Sequence, residues 1–150
     1  MANRIVRIES ITIENFKNVT QGTLDFENKR KDYKASVLGL YGQNGSGKTA
    51  LIDAIQLLKF ALCGKAIPKK YADYINVDAE YATLKYEFVV RYAEIIYNVW
   101  YQFSMRKVID ESATSSDETT NANVTTKVEM FDEVLSFSYE SKTDKMRKAP

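Results

Sequence analysis

The stretch Ala35-Ser36-Val37-Leu38-Gly39-Leu40-Tyr41-Gly42-Gln43-Asn44-Gly45-Ser46-Gly47-Lys48-Thr49 passes directly from an apolar run into a glycine-rich turn. Gly42 to Thr49 match G-x-x-x-x-G-K-[ST] at every fixed position. Polyphosphate oxygens need many donors in a small concave space. Glycines let the backbone approach closely and turn successive N–H groups inward, and a helix start behind the loop adds the positive end of its dipole. Lys48 supplies a compact cation for the β- and γ-phosphates, and Thr49 a hydroxyl small enough to reach a bridging Mg2+. The motif predicts a nucleoside triphosphate site formed by Gly42, Gln43, Asn44, Gly45, Ser46, Gly47, Lys48, Thr49 and Ala50, with Thr49 as the metal contact.

The flanking sequence has the order this motif needs. The run Ala35 to Tyr41 reads as a strand buried on both faces, with the nucleotide at its C-terminal end. Behind the loop, Ala50 to Leu62 is built from helix formers and apolar residues, interrupted only by Asp53, Gln56 and Lys59. That spacing predicts a helix with one solvated stripe and an otherwise buried surface, stopped by Gly64. Cys63, next to this helix, reads as an inert core thiol, and Pro68-Lys69-Lys70 as a loop.

Ahead of the loop, Val6/Ile8 and Ile11/Ile13 alternate with polar residues, with a phase slip at Glu9-Ser10. A one-residue slip in a strand predicts a bulge. Asn15 to Val19 reads as a turn, Gly22 to Phe26 as a short strand, and charged Glu27 to Lys34 as a solvated loop. In the second half the period becomes two. Leu84, Tyr86, Phe88, Val90 and Tyr92 alternate with their neighbours, as do Tyr97 to Met105 and Leu135 to Tyr139. This predicts antiparallel strands, the first two joined near Ala93-Glu94, with Trp100 on the face opposite Tyr101 and Phe103. Asp110 to Thr126 is Ser/Thr/Asn/Asp/Glu-rich and reads as a mobile hairpin loop.

Composition narrows the class. The 150 residues carry 21 Lys+Arg and 20 Asp+Glu, with 45% hydrophobic residues, which excludes disorder for most of the chain. The absence of His and the single Cys exclude a disulfide framework and any His-based metal or triad site. No apolar run is long enough for a membrane helix or signal peptide, and the lone thiol fits a reducing cytoplasm. Charge is uneven: residues 1–75 hold 12 basic and 7 acidic residues, net +5, and residues 76–150 hold 9 and 13, net −4. The basic half contains the glycine loop, which suits a polyanionic ligand.

What the sequence lacks is also informative. Guanine-specific proteins carry N-K-x-D, but the Asn28-Lys29 pair continues as Arg30-Lys31 and precedes the loop, so ATP is expected. Hydrolysis needs an acid at the end of a second apolar strand. Phe131-Asp132-Glu133 is the best candidate, yet Glu129 breaks the run before it and Leu135 continues it afterwards. Asp132 and Glu133 read as solvated residues entering a hairpin strand, and no catalytic residue is assigned. Two other classes stay open. A small P-loop metabolite kinase would need an arginine-rich lid, but the arginines at 4, 7, 30, 91, 106 and 147 are scattered. An interaction module with incidental nucleotide binding could use the aromatic hairpin and the acidic 110–126 loop.

Ile11-Thr12-Ile13-Glu14-Asn15-Phe16-Lys17-Asn18, Leu24-Asp25-Phe26 and Leu38 to Ile55 together resemble the N-terminal lobe of RecF/SMC/OLD-type ABC ATPases, an AAA-family group serving in DNA maintenance and phage defence. The resemblance is specific over the first 60 residues and looser to residue 140. It implies an α/β P-loop NTPase fold, the N-terminal half of an ABC-ATPase head. That half has a mixed sheet, one central helix after the loop and an antiparallel β-hairpin subdomain. The expected division is a nucleotide-binding lobe over 1–78, the β subdomain over 79–140 and a frayed tail over 141–150. The resemblance further implies that Phe16 and Lys17, with Asn15, lie near the nucleotide. It implies ATP and Mg2+ as ligands, homodimerisation through ATP-bound heads, a DNA or effector partner, and a longer ATPase whose C-terminal lobe completes the hydrolytic site. The family's Gln-loop glutamine cannot be placed, since Gln102 falls in a strand pattern and Gln56 on the helix.

Overall fold

The computed structural model describes residues 4–26, 39–110 and 126–141. Five strands follow in chain order: β1 (Arg4–Phe16), β2 (Val19–Asp25), β3 (Tyr81–Tyr92), β4 (Ile95–Ile109) and β5 (Thr126–Ser141). Helix α1 (Lys48–Leu62) and a 3-10 helix (Lys69–Tyr74) lie between β2 and β3. The strands form one sheet in the order β2-β1-β3-β4-β5, with every neighbouring pair antiparallel. β1 and β3 are hydrogen-bonded neighbours, so the sheet runs unbroken between residues before and after position 78.

The phase slip in β1 is a bulge. Ile8 opposes Phe88 and Ser10 opposes Glu87, which leaves Glu9 as the extra residue. The bulge lets Ile8 and Ile11, an odd number of residues apart, point to the same side of the sheet. A second irregularity lies in β5, where Asp132 and Glu133 stand against Phe103 and Asp132 takes a φ of 49°. The link at Ala93-Glu94 is the expected hairpin, with Tyr92 paired to Ile95 and Ala93 at a φ of 53°.

One face of the sheet carries the core. Ile11 and Ile13 of β1, Ala82, Leu84 and Tyr86 of β3, and Tyr101, Phe103 and Met105 of β4 are all buried there. Helix α1 covers them with Ala50, Leu51, Ala54, Leu57 and Leu58, a set at helical spacing. The small Ala54 lets β3 approach, and the Tyr86 hydroxyl donates to the Ala54 carbonyl at 2.8 Å. The helix ends in a Schellman motif: Gly64 N–H donates to Ala61 O and Lys65 N–H to Phe60 O.

Several sequence expectations are corrected. Among the described residues the sheet is wholly antiparallel rather than mixed. Gly39, Leu40 and Tyr41 belong to no strand, and Tyr41 is 95% exposed. An apolar run is buried on both faces only where strands flank it, and none of the described strands pairs with these three residues. The preceding part of that expected strand, residues 35–38, lies outside the described residues, as do the 27–34 loop, residues 111–125 and the tail from residue 142. The helix is less enclosed than its composition suggests: Ile52, Ile55 and Leu62 are exposed on its outer side. Cys63 is exposed, because it caps the helix beyond the last core contact. Lys69 and Lys70 open a 3-10 helix rather than a loop, held by a Tyr71 N–H to Pro68 O bond. Among the described residues no helix is long and apolar enough to cross a membrane.

Candidate functional site

The glycine loop sits at the N-terminus of α1. Gly47 is the residue before the first turn, at φ 89° and ψ 0°. A Cβ on Gly47 would lie 2.9 Å from Val19 Cγ2, so the position needs both the left-handed backbone and the missing side chain. The first turn of α1 contains no acidic residue, and no side chain caps it. The positive end of the helix dipole is therefore not neutralised by a nearby carboxylate of its own turn.

Lys48 folds back over the loop. Its ammonium donates to Gly42 O at 2.8 Å, Gln43 O at 2.8 Å and Ser46 Oγ at 3.0 Å. A cation held by three oxygens of its own loop can exchange them for phosphate oxygens, which are stronger, charged acceptors. Gly42 keeps this hollow open, because a Cβ there would meet Ser46 Oγ at 2.6 Å. Ser46, Gly47 and Lys48 also line a pocket of about 250 Å³, closed on its other side by Ile11, Val19, Thr23 and Leu24 and flanked by Leu40 and Tyr41. The residues present thus fit a polyphosphate. Thr49, the second residue of α1, is exposed beside them. Among the described residues no group of three acidic, His or Cys side chains could hold a metal ion. A Mg2+ ion here would be held by Thr49 and the phosphates.

The β1–β2 turn braces the loop. The Asn18 side-chain amide donates to the Gly45 carbonyl. Lys17 pairs with Asp53 of α1 and stands 4.0 Å over the Tyr74 ring. Asp53, read from the sequence as part of a solvated stripe, is thus a half-buried partner of Lys17. Thirty-six residues separate the two, so only the opposite charges hinted at the pairing. Phe16 is fully buried and meets Tyr74 edge to face at 5.9 Å. Tyr74 in turn contacts Tyr71 at 5.2 Å, and Tyr71 contacts Phe60 of α1 at 6.1 Å. Burial first, then the nearby Asp53 carboxylate and Tyr74, push the Tyr71 phenol above its ordinary pKa. Asn76 N–H donates to Asn15 O at 2.9 Å, which fastens the turn to the segment after the 3-10 helix. Phe16 is therefore enclosed in the core, and Lys17 is paired with α1. Sequence reasoning missed Asn18 and Asp53 as loop supports, since neither belongs to the glycine motif.

Asp132 and Glu133 lie in β5, at the edge of the sheet opposite β2, whose residues line the loop pocket. The Glu133 carboxylate accepts from the Tyr101 hydroxyl at 2.6 Å, so it is a structural acceptor and not merely solvated. Trp100 is 40% exposed on the face away from α1, as the alternation implied. Gln102 lies in β4 and Gln56 on the exposed side of α1.

The sequence profile of the AAA domain family matches residues 10–146. A DNA replication and repair protein RecF of Azobacteroides pseudotrichonymphae genomovar. CFP2 is 45% identical over 53 residues, which are 35% of this chain and 13% of that protein. A DNA replication and repair protein RecF of Deinococcus radiodurans is 38% identical over 52 residues, 35% of this chain and 12% of the relative. The matched stretch is thus a small part of either relative's length. No solved structure matches the chain.

Proposed function

Because the chain belongs to the AAA domain family, whose profile covers residues 10–146, we propose that it binds Mg2+-ATP as the nucleotide-binding part of an ATPase acting in DNA maintenance. The observation that carries this reading is the Lys48 ammonium, gathered with Gly42 O, Gln43 O and Ser46 Oγ over a loop at an uncapped helix start. In this reading the loop amides of Gly45 to Thr49 and the Lys48 ammonium bind the β- and γ-phosphates. Thr49 reaches Mg2+, which when bound supplies charge neutralisation across those phosphates. The DNA-maintenance role is supported by the two RecF relatives, both DNA replication and repair proteins. Hydrolysis is assigned to acidic and signature groups from elsewhere in a longer protein, with ATP drawing two such parts together. The position of Asp132 and Glu133 on the far edge of the sheet agrees with that assignment.

The test is calorimetry with Mg2+-ATP on the chain and on Lys48→Ala. Loss of the ammonium is expected to weaken binding by at least tenfold, since a charge-assisted contact contributes about 1.5–3 kcal/mol. Equal affinity in both proteins overturns the reading.

A further inference from the structure

We propose that Asn18, outside the glycine motif, is a positioning residue that sets the direction of a phosphate-binding amide in the loop; the proposal rests on the nucleotide reading above. A peptide plane is rigid and carries its C=O and N–H on opposite sides. The Asn18 amide donates to the carbonyl of Gly45, the residue at φ 86° in the middle of the loop. Anchoring that carbonyl toward the β1–β2 turn points the N–H of the same plane, on Ser46, the other way. That N–H does face across the loop, to Gln43 O at 3.2 Å. In the nucleotide reading a phosphate oxygen would replace Gln43 O as the acceptor of this N–H.

The anchor itself is fixed. Val19, the next residue, backs Gly47 so closely that a Cβ there would lie 2.9 Å from Val19 Cγ2. Phe16 pairs with Val19 across the turn, Lys17 pairs with Asp53 of α1, and Asn15 accepts from Asn76. Asn18 and Val19 therefore hold the loop at two points, one at Gly45 and one at Gly47. A backbone free to flip at Gly45 would present the Gly45 carbonyl to the phosphates in place of the Ser46 amide, exchanging a donor for a repelling acceptor. Asn18 favours the donor orientation before ligand arrives, so less of the binding free energy goes into ordering the loop.

The test uses the full chain with Asn18→Asp, which keeps the shape and loses the donor, and Asn18→Ala. The control, Lys85→Met, removes the 2.6 Å Lys85–Glu14 ion pair on the face of β1 away from α1. Two readouts apply. In the ligand-free protein, the Ser46 amide resonance is expected to shift in both Asn18 variants and to stay in place in Lys85→Met. In calorimetry with pyrophosphate and with Mg2+-ATP, both Asn18 variants are expected to bind roughly three- to tenfold more weakly, by the same factor for the two probes. Lys85→Met is expected to bind like the parent. An unmoved Ser46 resonance overturns the positioning role, as does parent-like affinity in both Asn18 variants. If the parent binds neither probe, the nucleotide reading fails, and the Ser46 resonance still decides whether Asn18 orients the loop.

Discussion

Two glycines of the loop share a backbone state but not a neighbourhood. Gly45 has a φ of 86° with nothing within 4 Å of a Cβ built on it, whereas Gly47 has a φ of 89° with Val19 Cγ2 only 2.9 Å away. Left-handed backbone costs an L-residue about 1–2 kcal/mol by itself. Gly45→Ala is therefore expected to lower stability by about that much. Gly47→Ala adds a steric overlap and is expected to cost clearly more. Adding Val19→Ala to Gly47→Ala gives the overlapping methyl somewhere to go and should recover the excess, seen as a favourable coupling in a urea-unfolding double-mutant cycle. Equal losses in the two glycine variants would show that the contact with Val19 carries no weight. The motif made these glycines visible in the sequence, because their spacing reflects a backbone requirement local to eight residues. Asn18, Val19 and Asp53 were not legible as loop partners. Their contacts with Gly45, Gly47 and Lys17 close distances of 27 to 36 residues along the chain, and no local pattern encodes such contacts.

Helix α1 has two apolar sides, and the described residues cover only one of them. Leu57 is fully buried against the sheet, and Ile52 is 64% exposed. Leu57→Ala removes buried methyl groups and leaves a cavity, so it should cost about 3 kcal/mol. Ile52→Ala leaves an exposed site near neutral, within about 0.5 kcal/mol. Chemical denaturation of the two variants checks the contrast, and equal losses would place a covering element over Ile52. The sequence displayed the apolarity of this helix but not its cover, because periodicity reports which residues shun water and not what lies across from them. The strands were more legible. Period-two alternation located β3 and β4, and the slip at Glu9 located a bulge, since side-chain parity is a local property of a pleated strand. The bulge at Asp132-Glu133 escaped notice because Asp and Glu there read equally well as solvated strand residues.

At the scale of the whole molecule, two buried phenols tie its elements together. Tyr86 links β3 to the backbone of α1 through Ala54, and Tyr101 links β4 to β5 through Glu133. Burial, with a smaller contribution from Tyr101, pushes the Tyr86 phenol far above its ordinary pKa near 10. Burial first, then the hydrogen bond to Glu133 and its negative charge, do the same for Tyr101. Both groups hold their protons more tightly when folded than when unfolded. Their contribution to stability is therefore complete below about pH 10, the unfolded value, and declines as pH rises above it, because the unfolded chain releases protons that the folded chain keeps. The urea midpoint is expected to be unaffected by these groups between pH 8 and 9 and to fall steadily above pH 10. The raised Tyr71 phenol adds to the same decline, and Tyr101→Phe removes one of these three groups from the balance. It should be less stable at neutral pH by about 1 kcal/mol, through the lost bond to Glu133, yet decline less steeply in alkali. A parent and a Tyr101→Phe protein with parallel alkaline declines would mean that the Tyr101 phenol ionises as freely in the sheet as in water. The join between β4 and the bulged β5 would then rest on strand pairing alone, with Glu133 playing no part in it.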